Sequence, residues 1–421
     1  MVYRLLIFIG SIFLFFNTYT SAQIILPPIH GPIVDKISIF IPTLTNVGAP
    51  DQKASEFVKV VQNDLLNTGL FDVHGGSADS FIIGDSIQFQ SLFEAGAEAL
   101  VKGEYVSTGG NIQFALRLFD VVGEKPLVGR TYDATPGRVR EAAHRFADLI
   151  MKQLTGIDGF FTSKIAFVSG SGNNRNLYIM DYDGESIRRL TNHGSLLLSP
   201  HCSPDGSKII FNSDKVWDQD LYVIDLGSKT TEKRLTRAFK LEQSPEWSPS
   251  GRKIAFSADG DIYVANPDGS GAVDMTRSHS IDVSPTWSPD GRRIAFVSDR
   301  GGSPQIYVMS SSGGNLRKVS SGGYATDPSW SPDPSVNRIA FVKVEASEAN
   351  IFTVNPDGSD EQRLTWSSRR NETPSWAPDG HYIGFTSNRS GSKDLYIMYL
   401  TGQNQRPLTK GGSVYFPTWC R

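Results

Sequence analysis

The fold is decided by the stretch Ser284-Pro285-Thr286-Trp287-Ser288-Pro289-Asp290-Gly291-Arg292-Arg293-Ile294-Ala295-Phe296, which the strand-like segment Gln305-Ile306-Tyr307-Val308-Met309 follows. Its Pro-x-Trp element returns about every 40–46 residues, which is the period of four-stranded propeller blades. One copy has Cys202 in place of the Trp. The copies are Pro200/Cys202, Pro245/Trp247, Pro285/Trp287, Pro328/Trp330, Pro374/Trp376 and Pro417/Trp419. The repeat therefore predicts a propeller.

Each repeat predicts four strands. The first carries Pro-x-Trp, the second an apolar triplet such as Ile294-Ala295-Phe296, and the third an aromatic residue such as Tyr307. The fourth is short, as in Arg363-Leu364-Thr365. A Ser-Pro-Asp-Gly turn joins the first strand to the second, with Pro and Gly where a tight turn requires them. Six sets of these elements predict six blades.

The two ends of the propeller segment complement each other. It begins at Lys164 with a second strand and ends at 414–419 with a first strand. We therefore expect the C-terminal strand to complete the first blade, which closes the ring and removes an open sheet edge.

The segment before the propeller divides into four parts. Residues 1–22 read as a signal peptide, with Arg4, a 12-residue apolar region from Leu5 to Phe16, and small residues before a cleavage point near Ala22. The alternative is an uncleaved anchor, for which 12 apolar residues are short. The divisions are 1–22 signal peptide, 23–34 N-terminal tail, 35–156 α/β domain, 157–163 linker and 164–421 propeller.

The α/β domain is predicted from alternating strand and helix patterns. Helices are expected from Ala54 to Leu66, from Phe89 to Leu100 and from Val139 to Leu154. A hairpin is expected from Ala99–Val106 and Asn111–Val122. Because the linker enters a second strand, this domain should dock on the face that carries the Pro-Asp-Gly turns. The whole is a two-domain protein with a small N-terminal α/β domain and an all-β six-bladed propeller.

Composition excludes several functions. The chain has 41 basic and 44 acidic residues with no basic block, so no nucleic-acid partner is expected. Seven scattered His residues form no metal-binding pattern, and no Gly-x-Ser-x-Gly occurs. We therefore expect no enzyme activity, cofactor or metal. The only cysteines are Cys202 and Cys420. An oxidising compartment would allow a disulfide between them, but two buried free thiols are expected because Cys202 occupies the Trp position and Cys420 faces the opposite side of its strand from Trp419.

The connections from each fourth strand to the next first strand carry large apolar residues. A ring of such residues around the mouth of a propeller channel is typical of a protein-binding surface. An exported propeller enzyme of the lyase or lactonase type, or a glycan-binding propeller, stays open as an alternative. The apolar residues are Leu196, Phe239, Leu241, Ile281, Tyr324, Trp366 and Tyr415.

The signal peptide, the α/β domain and the six Ser-Pro-Asp-Gly/Ile-Ala-Phe repeats together resemble the TolB family, periplasmic propeller proteins of the Tol–Pal envelope system. The resemblance implies a non-catalytic scaffold that binds the peptidoglycan-associated lipoprotein Pal and contacts TolA. It implies a role in outer-membrane integrity and in invagination during cell division, peripheral to the envelope membranes. The implied Pal-binding residues are Leu196, Phe239, Leu241, Glu242, Ser244, Ile281, Asp282, Val283, Tyr324, Trp366 and Tyr415. The implied TolA-binding residues are Gln23, Ile24, Ile25 and Leu26.

Overall fold

The computed structural model describes residues 36–421, apart from positions 49, 78, 80, 84–85, 217, 228–230, 238, 240 and 367–368. The predicted signal peptide and N-terminal tail lie outside the described residues.

The N-terminal domain is a mixed sheet with helices packed on it. Strands β1, β3 and β6 are parallel, and β6, β7 and β8 form an antiparallel meander in the order β3-β1-β6-β7-β8, with β2 beside β6. The elements are β1 Ile37–Phe40, β2 Thr45–Asn46, α1 Gln52–Thr68, β3 Phe71–His74, β4 Ile82–Ile83, β5 Ser86–Ile87, α2 Phe89–Glu94, β6 Ala99–Thr108, β7 Asn111–Asp120, β8 Lys125–Ala134 and α3 Val139–Thr155.

The two long helices confirm the periodicity read from the sequence. Asp51 caps α1 by accepting a 2.9 Å hydrogen bond from the N–H of Lys53, and Gly69 ends it in the left-handed conformation. Gly156 ends α3 in the same way. Phe57 of α1 stacks on Phe114 of the sheet, so the helices bury their apolar faces in one core.

The prediction of a helix from Phe89 to Leu100 was wrong at its C-terminal end. Helix α2 stops at Glu94, and Gly96 adopts a φ of 84°. Ala99 and Leu100 instead begin β6, where they pair with β7. The apolar residues beyond Gly96 therefore serve a strand, whose long hairpin outweighs local helix propensity.

The propeller has six four-stranded antiparallel blades, as predicted. Blade 1 contains β9 Lys164–Ser171, β10 Asn174–Asp181, β11 Arg188–Arg189 and β32 Val414–Cys420; blade 2 contains β12 Leu197–Cys202, β13 Lys208–Val216, β14 Asp218–Asp225 and β15 Thr231–Arg234. Blade 3 contains β16 Glu242–Trp247, β17 Ile254–Ala258, β18 Asp261–Ala265 and β19 Val273–Asp274; blade 4 contains β20 Asp282–Trp287, β21 Arg293–Ser298, β22 Gln305–Ser310 and β23 Arg317–Lys318. Blade 5 contains β24 Tyr324–Trp330, β25 Ile339–Glu345, β26 Glu348–Val354 and β27 Gln362–Arg363; blade 6 contains β28 Asn371–Trp376, β29 Tyr382–Ser387, β30 Asp394–Tyr399 and β31 Arg406–Pro407.

A hydroxyl repeated in every blade ties the short fourth strand to the third. A Thr just after the fourth strand, or a Ser in blade 4, accepts a 2.8–3.0 Å hydrogen bond from an N–H of the third strand. This N–H lies beyond the last backbone pair of the two strands, so the hydroxyl supplies its acceptor. This explains why a Thr or Ser recurs at this position in every blade. The pairs are Leu177/Thr191, Leu221/Thr236, Ile262/Thr276, Ile306/Ser320, Ile351/Thr365 and Leu395/Thr409.

The C-terminal strand closes the ring, as predicted. Strand β32 pairs antiparallel with β9, and Trp419 lies opposite Ile165. Trp419 also reaches the neighbouring blade, where its Nε1 donates a 3.1 Å hydrogen bond to the carbonyl of Ser375. The first blade is thus assembled from both ends of the propeller segment.

A disulfide joins Cys202 to Cys420, whose Cα atoms are 5.2 Å apart, so the prediction of two free thiols was wrong. Cys420 does face away from the Trp419 side of β32, but that other side packs against blade 2. Cys202 occupies the Trp position of blade 2, which faces blade 1. Neighbouring blades pack through unlike faces, and this brings the two sulfurs together.

The N-terminal domain docks on the face of the Pro-Asp-Gly turns, as predicted. Tyr382 donates a 3.0 Å hydrogen bond to the carbonyl of Thr68, and Asn404 donates one of 2.9 Å to the carbonyl of Asn67. A single apolar core runs from the domain sheet to the first and last blades. Within the described part of the chain, no helix combines the length and the apolar character needed to cross a membrane.

Candidate partner-binding face

The described part of the N-terminal domain does not cover the opposite face of the propeller. We call it the loop face: the connections 190–196, 235–241, 275–281, 319–323, 364–370 and 408–413, with the connections between second and third strands. On it, large apolar side chains are exposed at four consecutive blade junctions. The exposed fractions are 45% for Leu241, 59% for Ile281, 47% for Tyr324 and 58% for Trp366.

The remaining predicted apolar residues are partly covered. Leu196 is half-buried, and Tyr415 lies between Arg175 and Lys393, whose cationic groups are 4.2 and 4.8 Å from the ring centre. Phe239 packs on Tyr263, with ring centres 4.6 Å apart. The exposed apolar surface is therefore an arc over the junctions from blade 2 to blade 6, and the ring is incomplete.

Two predicted acidic residues lie inside the propeller. Glu242 and Asp282 begin the inner strands of blades 3 and 4, and both are fully buried. Asp282 is held by Arg300 through two hydrogen bonds of 2.8 and 3.0 Å. Ser244 and Val283 are half-buried. Sequence reasoning placed all four on the surface because it followed loop position and did not consider the direction of each side chain.

Every inner strand bends at the residue before its Pro. These six residues have φ between 46° and 54°, a left-handed conformation that is uncommon for residues other than Gly. A β-bulge interrupts the ladder at the same place in each blade. Since all six share it, the strain belongs to the geometry of the ring. The residues are Ser199, Ser244, Ser284, Asp327, Thr373 and Phe416.

The central channel contains a cavity of about 330 Å³ between the Trp rings and the turn prolines. Glu246 in its wall accepts hydrogen bonds of 2.8 Å from the N–H of Trp287 and 3.0 Å from the hydroxyl of Thr286. Burial raises the pKa of Glu246 to about 8 and lowers the pKa of nearby His201 to about 4. Both groups are therefore largely neutral near pH 7, although Arg421 also lines this cavity and is charged.

One group of three metal-ligating side chains occurs among the described residues: Asp64, His144 and Asp183 at the domain junction. Arg140 forms an ion pair with Asp183, and Tyr182 donates to Asp64. These internal partners already use the carboxylates, and the adjacent guanidinium repels a cation. The group therefore fits a structural contact better than a metal centre.

The fold and this face define a class of protein: a closed six-bladed propeller with an α/β domain on one side and an exposed apolar arc on the other. The chain matches the family model described as TolB beta propeller domain over residues 151–421 and the TolB amino-terminal domain over residues 28–127. The chain belongs to the TolB family.

Relatives and a solved structure agree with this assignment. The chain is 35% identical over 382 residues to a protein TolB homolog from Chlorobium luteolum, covering 89% of this chain and 88% of that protein. It is 36% identical over 179 residues to the Tol-Pal system protein TolB of Geobacter metallireducens, covering 41% of this chain and 42% of that one. The crystal structure of TolB from Acinetobacter baumannii superposes with a TM-score of 0.79 at 26% identity, covering 92% of this chain and 97% of that one.

Proposed function

We propose that this chain is a periplasmic, non-catalytic scaffold of the Tol–Pal system that binds the lipoprotein Pal through its loop face. Membership of the TolB family supports a role in the Tol–Pal system, since a relative carries the name Tol-Pal system protein TolB. The observation that carries the binding site is the arc of Leu241, Ile281, Tyr324 and Trp366, exposed opposite the docked domain. Large apolar residues clustered on one open face are what a protein partner buries.

The N-terminal tail, with Gln23, Ile24, Ile25 and Leu26, is proposed to contact TolA once a signal peptide has been removed near Ala22. Pro27 and Pro28 favour an extended segment, which suits strand addition to a partner sheet. Together the two contacts would serve outer-membrane integrity and invagination during division.

The loop face is tested with purified Pal by calorimetry, using the chain from Gln23 and its double variant Ile281→Ser/Trp366→Ser. Leu316→Ser is the matched control, since Leu316 is 43% exposed in a third-to-fourth turn on the opposite face. We expect the double variant to bind about tenfold more weakly or worse, and the control to bind normally. Equal binding by all three proteins would refute the assigned face, and no binding by the wild type would refute the function.

The tail is tested separately by deleting residues 23–34. TolA binding should disappear while the affinity for Pal stays unchanged. Retained TolA binding would place that contact elsewhere on the protein.

A further inference from the structure

In blades 4 and 6, the first residue of the inner strand has a polar side chain that accepts hydrogen bonds from an arginine of the same blade. In blade 4, Asp282 lies opposite Ser298 and accepts from Arg300, two residues further on. In blade 6, Asn371 lies opposite Ser387, and Arg389, again two residues further on, donates to it at 2.8 Å. Because the strand register is the same in both blades, Arg300 and Arg389 place their guanidinium groups at equivalent positions of the loop face.

Blade 3 has the acidic residue but lacks the arginine. Glu242 lies opposite Ala258 in the same register, and the position two residues further on is Gly260. The connection between β17 and β18 is only two residues long. A Cβ built on Gly260 would meet no atom within 4 Å, so there is open space beside the residue that corresponds to Arg300 and Arg389.

Among the described residues, the carboxylate of Glu242 has no cationic side chain of its own to pair with. The residue is fully buried, and the donors that face its carboxylate, the hydroxyl of Thr236 and the N–H of Phe239, are neutral. Burial raises the pKa of Glu242 to about 7 in spite of these donors, with a further contribution from the charge of Asp220. Most fully buried carboxylates in proteins are paired with a cation, so a buried carboxylate with only neutral donors is uncommon.

Asp220 of β14 and Arg234 of β15 face Glu242 and leave a net negative charge. One oxygen of Asp220 accepts a 2.6 Å hydrogen bond from Arg234, and its other oxygen is buried with no donor among the residues that the structure describes. Two carboxylates thus share one guanidinium. Leu241, which immediately precedes Glu242 in the chain, belongs to the exposed arc, so the buried acid adjoins the proposed binding surface.

Resting on the function proposed above, we propose that the protein partner inserts an arginine side chain beside Gly260 and pairs it with Glu242 and Asp220. The partner would supply in trans the guanidinium that Arg300 and Arg389 supply within blades 4 and 6. A guanidinium is favoured because its planar fork bonds two carboxylate oxygens at once. Glu242 would thereby determine specificity for a basic residue on the partner.

The test measures the affinity of purified Pal for the wild type and for Glu242→Gln at pH 6, 7 and 8. Since the partner's cation binds only ionised Glu242, wild-type affinity should rise as pH passes through about 7. Glu242→Gln should bind about tenfold more weakly at pH 8 and show no such rise. Asp259→Asn is the control, because Asp259 is an exposed acid on the same connection, and it should keep the wild-type pH profile.

Each of the following results would overturn the proposed pairing. If the wild type binds with the same affinity at all three pH values, or if Glu242→Gln binds equally well, the pairing is wrong while the proposed function stands. If calcium chloride stabilises the wild type but not Glu242→Gln, with unchanged affinity for the partner, the carboxylates hold an inorganic cation and the pairing is again wrong. If the wild type does not bind, both proposals fail.

Discussion

Tyr182 of the propeller donates a hydrogen bond of 2.6 Å to Oδ1 of Asp64 in the N-terminal domain, and His144 lies 2.7 Å from the other oxygen of that carboxylate. All three side chains are buried at the domain junction. Burial by itself would lower the pKa of His144, but the hydrogen bond and charge of Asp64 raise it above its usual value. The two domains are therefore joined through a polar contact within an apolar core.

Tyr182→Phe should weaken this junction. The change leaves a buried carboxylate oxygen without its donor, which costs on the order of 1.5–3 kcal/mol. Urea unfolding, together with the rate of proteolysis in the linker 157–163, measures the effect. Tyr222→Phe is the matched control, because the buried Tyr222 hydroxyl has no hydrogen-bond partner among the described residues and its removal should cost little. Equal losses in both variants would show that the hydrogen bond to Asp64 contributes nothing.

Asp379→Asn should stabilise the protein above neutral pH. In blades 2, 4 and 5 a Ser precedes the Pro-Asp turn, and in blade 2 Ser203 donates to Asp205 at 2.5 Å, but blade 6 has Ala377 at this position. Burial without that donor raises the pKa of Asp379 to about 7, whereas the pKa of Asp205 falls to about 2 through its serine hydrogen bonds.

The sign of the Asp379 effect follows from proton binding. The folded state holds a proton on Asp379 between about pH 4 and 7 that the unfolded state releases, so stability falls as pH rises through this window. Asp379→Asn should remove this loss of stability. We expect the free energy of unfolding to rise by on the order of 2–4 kcal/mol at pH 8 and to change little at pH 4. Thermal unfolding across pH measures this. Asp205→Asn should instead destabilise at pH 8, and a gain in both variants would contradict the assignment.

Reduction of the Cys202–Cys420 bond should lower stability by roughly 2–5 kcal/mol, because it releases a constraint across 218 residues of chain. Melting temperatures with and without a phosphine reductant measure this. The chain has no other cysteine, so Cys202→Ser/Cys420→Ser should melt at the reduced temperature and ignore the reductant. A wild type that also ignores the reductant would show that the thiols are free.

Deletion of residues 414–421 should open the ring. The loss of β32 exposes the edge of β9 and removes Trp419 from the core, so the shortened chain should aggregate or unfold at a lower temperature. Size-exclusion chromatography and thermal unfolding measure this. Trp419→Phe is the control, since it keeps the strand, and a deletion no worse than this substitution would mean that closure contributes little.

The propeller was predictable because each blade repeats the same local pattern, and strand order follows from repetition. Closure was predictable because half a blade stands at each end of the segment. The C-terminal boundary of α2 was not predictable, because Ala99 and Leu100 are compatible with a helix or a strand. Their pairing with β7 places them in a strand. Local pattern determines the elements, while pairing decides the ambiguous ends.

The candidate face was only partly predictable. Ile281 and Trp366 are exposed as loop residues often are, but Asp282 follows Ile281 directly and turns inward to Arg300, which is 18 residues away in the sequence. Blade 3 lacks an arginine for Glu242 because the connection between β17 and β18 is short, and this is visible only when the blades are compared in register. The contact between Cys202 and Cys420 likewise required knowing which faces of adjacent blades meet.

The disulfide also sets an order of events. Cys202 cannot bond to Cys420 until the strands of blades 2 to 6 and β32 have been synthesised, because these strands separate the two residues in the chain. Oxidation therefore follows the synthesis of the last strand, and a chain that stops before Cys420 cannot form the bond. A cell that oxidises this pair only outside the cytoplasm would lock the ring after export, when the chain no longer needs to be unfolded for transport.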